Sequence, residues 1–514
     1  MQLKQSKNRS LIIFIAILIG ISLYYNYSCI LEKRPQSIHH WRQTDCASIA
    51  LNYYNHGMNF FKPEVMFQIS DGGTSGYTVG ECPLLYYFIA ILWKIFGYSD
   101  FIYRLVNTTL FFIGLIALYK IILNYSKNYF WSAAIPILLF TSPVVTYYAS
   151  NYLTDTTSIA LILVGWNYII KFNNNSKNRF FYIAFSFFTI AGLIKVSSLI
   201  SVMALLGVML FTTLKNKNTL FPNNLKFDFK KALVIVLMFG TIFSWYTFAI
   251  NYNKNHKAYA ADGNTYFSTN TFPIWNLEKQ DVIDITNEIT NHWASEYYHF
   301  SIYILFVLLV ILFFVFIKKI NPFLSTITTL ILGGTVLFCL LWYFAFAQHD
   351  YYIINLLILP LFMFIAVIEF LNRTYPKTSN SLITQIAFSL LLLFNINYAK
   401  GKLKDRYIGD SNEYKQYKDV HSITPYLREI GVKSDDKVIS LPDHTPCYTL
   451  YLMNQPGWSQ INFRNDSLQV KEYIKLGAEY IILTEAEPLT RTCLQPFLKN
   501  KIGEYGSVKI FKLQ

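Results

Sequence analysis

Eleven apolar runs, most of them close to the ~20 residues a helix needs to cross a bilayer, fill most of the first 400 positions of this 514-residue chain. Lipid is the solvent for such a chain, and the backbone must satisfy its own hydrogen bonds there, which predicts a polytopic α-helical membrane protein. The runs fall at about 11–27, 104–124, 131–149, 154–171, 180–194, 196–214, 232–251, 298–317, 323–346, 351–371 and 380–398. The first lacks a small-residue cleavage site and reads as a retained anchor rather than a signal peptide. Runs 180–194 and 196–214 meet at Lys195, and a single kinked helix is the alternative there.

Net charge is +14, and its distribution decides what it means. With the N-terminus inside, the inner segments 1–10, 120–130, 171–179, 215–231, 318–322 and 372–379 carry 17 Lys and Arg against one acid, Asp228. The connection 252–297 carries three Lys and six acids. The positive-inside rule therefore puts the N-terminus in the cytoplasm and the C-terminus outside, and no nucleic-acid partner is needed to explain the charge. Segment 83–97 is about fifteen residues long and holds Lys94; counting it as a span would invert every later loop, so it is laid along the outer surface as an interfacial helix. The first outer loop then covers 28–103, within a transmembrane domain of residues 1–399.

From position 400 charges and turns replace the spans. Lys437 to Leu441, Glu479 to Thr484 and Ser507 to Lys512 read as strands, with helices over 413–430, 466–476 and 488–500, giving a small α/β extracytoplasmic domain over 400–514. It shows neither a phosphate loop nor metal-spaced Cys or His. The cysteines lack zinc spacing; a Cys46–Cys82 bridge and a Cys447–Cys493 bridge are conceivable, and unpaired residues equally so.

Once topology is fixed, the polar residues collect on one side. Asp45 in HHWRQTD and Glu81 in VGECPLLYY lie in the first outer loop; Asp155, Lys195, Gln348, His349 and Asp350 lie at outer ends of spans. Ionisable residues at such depth usually line a polar cavity. Each has an ordinary structural alternative: Thr154–Asp155 suits a helix N-cap, Lys195 can snorkel, His349 and Asp350 can be solvated, Arg42 and Asp45 can form a local i,i+3 pair, and Glu81 can favour a helix start.

The stretches HHWRQTDCASIALNYYNHGMNFFKPEV, GYTVGECPLLYYFIAILWKIFG, Tyr147 to Asp155 and QHDYYIINLLILP resemble, in that order, the polyprenyl-phosphate-dependent GT-C glycosyltransferases, nearest the family 39 branch of protein O-mannosyltransferases and the lipid A aminoarabinose transferase. The resemblance covers roughly 10–400 in layout and is specific mainly in 38–97. It implies inverting transfer of a sugar from a lipid-linked monophosphate donor to a lipid, glycan or protein acceptor outside the cytoplasm. Asp45 would be the general base, and Glu81 would orient the acceptor or share that role. Arg42, Lys195 and His349 would hold the donor phosphate, with His40, Asp155 and Asp350 as further substrate-binding candidates. No nucleotide cofactor is implied. A divalent cation could sit on carboxylates such as Asp45 and Asp155, although no full ligand set can be read. A lipid-linked sugar transporter or an assembly protein are the other classes; a transporter should show paired halves and charges at the midplane, whereas here they gather at one boundary.

Overall fold

The computed structural model describes residues 2–214, 222–259, 267, 271, 273–408, 417–459 and 466–513. Helices account for most of it. The first, α1 (Gln2–Tyr24), is followed by two helices of the first loop, α2 (His40–His56) and α3 (Leu84–Phe96), and then by α4 (Asp100–Ser126), α5 (Asp155–Asn175), α6 (Asn178–Ile194), α7 (Ile200–Leu214), α8 (Phe229–Asn255), α9 (Pro322–Leu341), α10 (Ile358–Thr374) and α11 (Leu382–Ile408). Among the described residues six helical stretches are long and apolar enough to cross a membrane, or up to eight when two bent pairs are each counted as one. Every run expected from the sequence carries helix, but one is bent within itself and another is sharply bent from the helix before it. Tyr129–Leu139 and Pro143–Ala149 meet at 82°, with Pro143 opening the second piece, and Phe300–Val315 is bent 97° from Lys279–Tyr297.

The break at Lys195 is real: its backbone is extended (φ −163°, ψ 102°) between α6 and a turn of 3-10 helix, Val196–Leu199. Within the bundle α4 packs along α5, and α5 along α6. Gly114 permits the first contact, since a Cβ there would lie 2.5 Å from the Ala160 backbone; small residues let helices approach closely in lipid. Helix α3 buries Leu85, Tyr86, Ile89, Ala90 and Trp93 and exposes Phe88, Ile91, Ile95 and Phe96. That two-sided apolar surface suits a helix lying at a membrane boundary.

The C-terminal part holds one five-stranded sheet in the order β2-β1-β3-β5-β4, with β1 (Lys437–Leu441), β2 (Gly457–Trp458), β3 (Ala478–Leu483), β4 (Lys501–Tyr505) and β5 (Val508–Lys512). β1 runs parallel to β2 and β3; β5 is antiparallel to β3 and β4. β1, β3 and β5 coincide with the expected strands to within a residue. The expected helix over 488–500 does not form: Pro488 and Pro496 leave only two short 3-10 turns, Glu487–Thr490 and Gln495–Phe497. Ser467–Lys475 is helical as expected, whereas helix in 413–430 is limited to Thr424–Glu429, residues 413–416 lying outside the described residues. All six cysteines are free, so neither conceivable bridge is present.

Buried side chains form two cores. One belongs to the long helices. The other joins α2 and α3 of the first loop to the sheet domain. Phe67 pairs alongside Gly457, with Gln68 N donating to Gly457 O (2.8 Å) and Gly457 N to Met66 O (3.1 Å), so the first loop extends the sheet beyond β2. Gly457 sits at positive φ where a Cβ would run into the Val438 carbonyl. Arg34 adds a clasp, donating to the carbonyls of His421 (2.8 Å) and Leu452 (2.9 Å) and pairing with Asp100 (3.3 Å). Helix α11 runs unbroken to Ile408, carrying the chain from the bundle towards this second core.

Candidate active site

Where the helix ends, first loop and sheet domain meet there is a cavity of about 850 Å³. Its polar wall starts on α2. One helical turn puts Trp41, Arg42 and Asp45 on the same lining face. Arg42 Nη2 donates to Glu81 Oε1 at 2.7 Å, and Arg42 Nη1 lies 3.9 Å from Asp45 Oδ2. The local i,i+3 pair is thus the weaker of the two, and the stronger one ties Arg42 to Glu81, 39 positions on. Tyr86, from the first turn of α3, donates its hydroxyl to Glu81 Oε1 (2.6 Å). Glu81 therefore binds side chains rather than capping α3, whose N-cap position is Pro83.

These contacts set the protonation states. Burial alone would raise the Glu81 carboxyl, but Arg42, Lys195 and the Tyr86 hydroxyl outweigh it and hold the group below the usual carboxylate range. Burial pushes the neighbouring Cys46 thiol up to about 12, so it is a neutral packing group.

The second cation comes from the break between α6 and α7. Lys195 Nζ lies 3.0 Å from Asp155 Oδ1 and 5.3 and 5.0 Å from the ring centroids of Tyr351 and Tyr352. Asp155 opens α5 with its carboxylate turned to Lys195, and Thr154 makes no side-chain cap. Neither the capping nor the snorkelling alternative describes this pair: Asp155 is 1% exposed and the Lys195 side chain 15%.

The third side is the corner 349–352. His349 lines the cavity and its ring stacks on Tyr351 (5.3 Å, 28°). Asp350 points away and is fully buried. It accepts from Tyr148 Oη (2.6 Å) and Arg406 Nη2 (2.9 Å), and faces His39 Nε2 at 3.3 Å, while Arg406 Nε reaches Glu296 Oε2 (2.9 Å). Its place is behind the wall, holding the corner to α11, rather than solvated. His40 is also off the cavity: its ring packs on Tyr448 (4.4 Å) and Nδ1 meets the Ser37 carbonyl. Arg42, Asp45, Glu81, Lys195 and His349 thus converge on one space, Asp155 reaches it through Lys195, and His40 and Asp350 do not line it. Among the described residues no group of three His, Cys, Asp or Glu is placed to hold a metal, and Asp45 and Asp155 are engaged with different cations.

Sequence reading missed several wall residues. Tyr351 and Tyr352 directly follow the QHD motif and could have been included with it. His444, Thr445 and Pro446 come from the sheet domain and carry no local signal. Cys447, beside them, is buried next to Asp45, and burial together with that neighbouring charge pushes its thiol up. The rest of the cavity is largely apolar, with Ile194, Leu199, Met203, Phe239 and Phe338 among its lining.

No protein-family model matches the chain, and no curated protein matches it in sequence. In shape it is similar to the crystal structure of ArnT from Cupriavidus metallidurans in the apo state: TM-score 0.58, 11% identity, 99% of this chain and 98% of that one covered. The undecaprenyl phosphate-bound crystal structure of the same protein gives 0.59 at 11% identity, over 98% and 97%. The chain has the GT-C fold. The GT-C match extends through the sheet domain as well as the helices, since almost all of the chain is covered. Arabinofuranosyltransferase AftD from Mycobacteria, solved by cryo-EM, also matches (TM-score 0.52, 10% identity), with 98% of this chain spanning 40% of AftD.

Proposed function

We propose that this chain is a membrane glycosyltransferase that moves one sugar from a polyprenyl-phosphate donor to a lipid, glycan or protein acceptor outside the cytoplasm. The observation that carries the reading is a single cavity combining two cations, Arg42 and Lys195, with the carboxylate of Asp45 and a long apolar wall. A phosphate-linked sugar on a lipid tail has that same division of chemistry. The ArnT neighbour bound to undecaprenyl phosphate supports the choice of donor. The protein would sit in the plasma membrane with its N-terminus cytoplasmic, as the 17 basic residues of the inner segments favour. Residues 1–399 would form the transferase domain and 400–514 an outer domain.

In the proposed reaction the acceptor oxygen attacks the anomeric carbon as the bond from that carbon to the phosphate oxygen breaks. Asp45 takes the acceptor proton. The polyprenyl phosphate departs with the bonding electron pair, and Lys195 and Arg42 meet the charge that grows on it. Glu81, held ionised, fixes the Arg42 guanidinium and is a weaker base than its position suggested. His349 adds a hydrogen bond to the phosphate, and Asp350 fixes the corner that presents His349.

The test is transfer of radiolabel from a panel of undecaprenyl-phosphate sugars in membranes containing wild type, Asp45→Asn or Glu81→Gln at matched expression. Label transferred by wild type and lost in Asp45→Asn supports the reading. Full activity in Asp45→Asn removes Asp45 as base, and no transfer with any donor removes the transferase.

A further inference from the structure

The sheet domain supplies part of the cavity wall through the loop between β1 and the helix α12 (Tyr448–Met453). This loop is held rigidly. Buried Asp443 accepts from the Thr445 N–H (2.8 Å) and hydroxyl (2.7 Å) through one oxygen, and from the Thr449 N–H (2.8 Å) and hydroxyl (2.5 Å) through the other. Ser459 donates to the Thr445 carbonyl (2.5 Å). On the other side α12 packs on α2, the helix that carries Asp45, with Cys447 buried next to that acid. The Thr445 hydroxyl is used within the loop, since it also accepts from Tyr448 N (3.1 Å). Pro446 has no donor. His444 is exposed to the cavity, and among the described residues no hydrogen bond engages its ring. A rigid loop that presents one unengaged polar side chain to a cavity is a common recognition device.

The geometry points to His444 as an acceptor-selecting residue, contacting an uncharged, hydroxyl-bearing glycan rather than the donor; this rests on the transferase reading above. In a displacement with inversion, attacking and leaving oxygens lie on opposite sides of the reacting carbon. A group mounted beside the base, as this loop is through Cys447 and Asp45, therefore flanks the acceptor. Charge narrows the class. Arg42 and Lys195 are each already against a carboxylate, at 2.7 and 3.0 Å, and the loop brings the acid Asp443 and neither Lys nor Arg. A phosphate-bearing acceptor beside an anionic donor would find no Lys or Arg on this loop to meet it. A peptide is most simply held on an open strand edge, and of the two sheet edges, β2 and β4, the one beside this loop, β2, is occupied by residues 66–68.

The experiment uses purified full-length protein loaded with labelled polyprenyl-phosphate sugar and membranes of the host lacking the gene as acceptor source. Wild type is expected to put label into protease-resistant glycan. Label in protein, or on a lipid phosphate, would overturn the acceptor class. In His444→Ala, half-maximal transfer should require about tenfold more acceptor membrane, the loss of one hydrogen bond, with donor binding unchanged. His444→Gln, which keeps donor and acceptor atoms, should recover most of it and serves as the folding control. Unchanged acceptor dependence in His444→Ala, or a shift in donor binding instead, would refute the role of His444. Absence of any label transfer by wild type would refute the transferase reading itself, a distinct failure.

Discussion

Replacing Lys195 separates its two roles. Its ammonium lies 3.0 Å from Asp155, whose carboxylate is 1% exposed, so Lys195→Met leaves a buried acid without its counter-charge. Breaking a buried pair from one side costs about 3–5 kcal/mol, while removing both charges together is often close to neutral. The double variant Lys195→Met/Asp155→Leu should therefore regain most of the stability, to within roughly 1–2 kcal/mol of wild type. It should not regain donor binding, because the phosphate still lacks its cation. Thermal unfolding in detergent measures the first quantity: a fall on the order of 3–5 °C for the single variant and near-recovery for the double. Quenching of tryptophan fluorescence by undecaprenyl phosphate measures the second, since Trp41 and Trp342 line the cavity. If the double variant binds and transfers like wild type, Lys195 serves only to neutralise Asp155, and the phosphate assignment fails. If Lys195→Met is as stable as wild type, the pair is not the strut described above.

Asp45→Asn should lower transfer by about 10²- to 10⁴-fold while leaving donor binding intact in the same fluorescence assay. Glu81 is depressed in the folded protein, so its contribution to stability is complete above its unfolded value near 4.5 and is lost as pH falls through the lower folded value; Glu81→Gln should abolish that acid-limb component of a stability-against-pH curve and leave the slope between pH 6 and 8 unchanged. Alkylation of denatured protein without reductant should modify six cysteines by mass spectrometry, and any disulfide-linked peptide would contradict the free thiols. Arg406→Leu strips Asp350 and Glu296 of a shared buried partner and should destabilise by about 3–5 kcal/mol in thermal unfolding, lowering donor binding only through the displaced 349–352 corner.

Local composition made the bundle legible: each run long and apolar enough to predict a helix does contain one. Bends at Pro143 and ahead of Phe300 were less visible, because hydropathy reports what a segment buries and not its direction. Among the strands, the continuous apolar runs 437–441 and 479–484 were plain, whereas β2 is two residues long and β4, KIGEY, has no fully buried residue and lacks an apolar period. At the site, Asp45, Glu81 and Lys195 stood out as charges near apolar runs. The pairing of Arg42 with Glu81 rather than Asp45, and the approach of Cys447 and His444, depend on tertiary contacts that no local pattern encodes. The hold of Tyr86 on Glu81 is likewise a contact that an apolar, aromatic-rich segment does not announce.

The pairing of the first loop with the sheet domain also bears on how the protein is made. Asn55 bonds Asn454 across 399 residues, and Phe67 must wait for Gly457. At ~5–20 residues per second, the helix carrying Asp45 stands without its partner core for roughly 20–80 s after it emerges. Every intervening span has to be threaded into the membrane in that time. A chain stalled or misinserted at any point would keep its proposed catalytic acid and lack the wall that encloses it, so the cavity closes only on molecules whose synthesis is nearly finished.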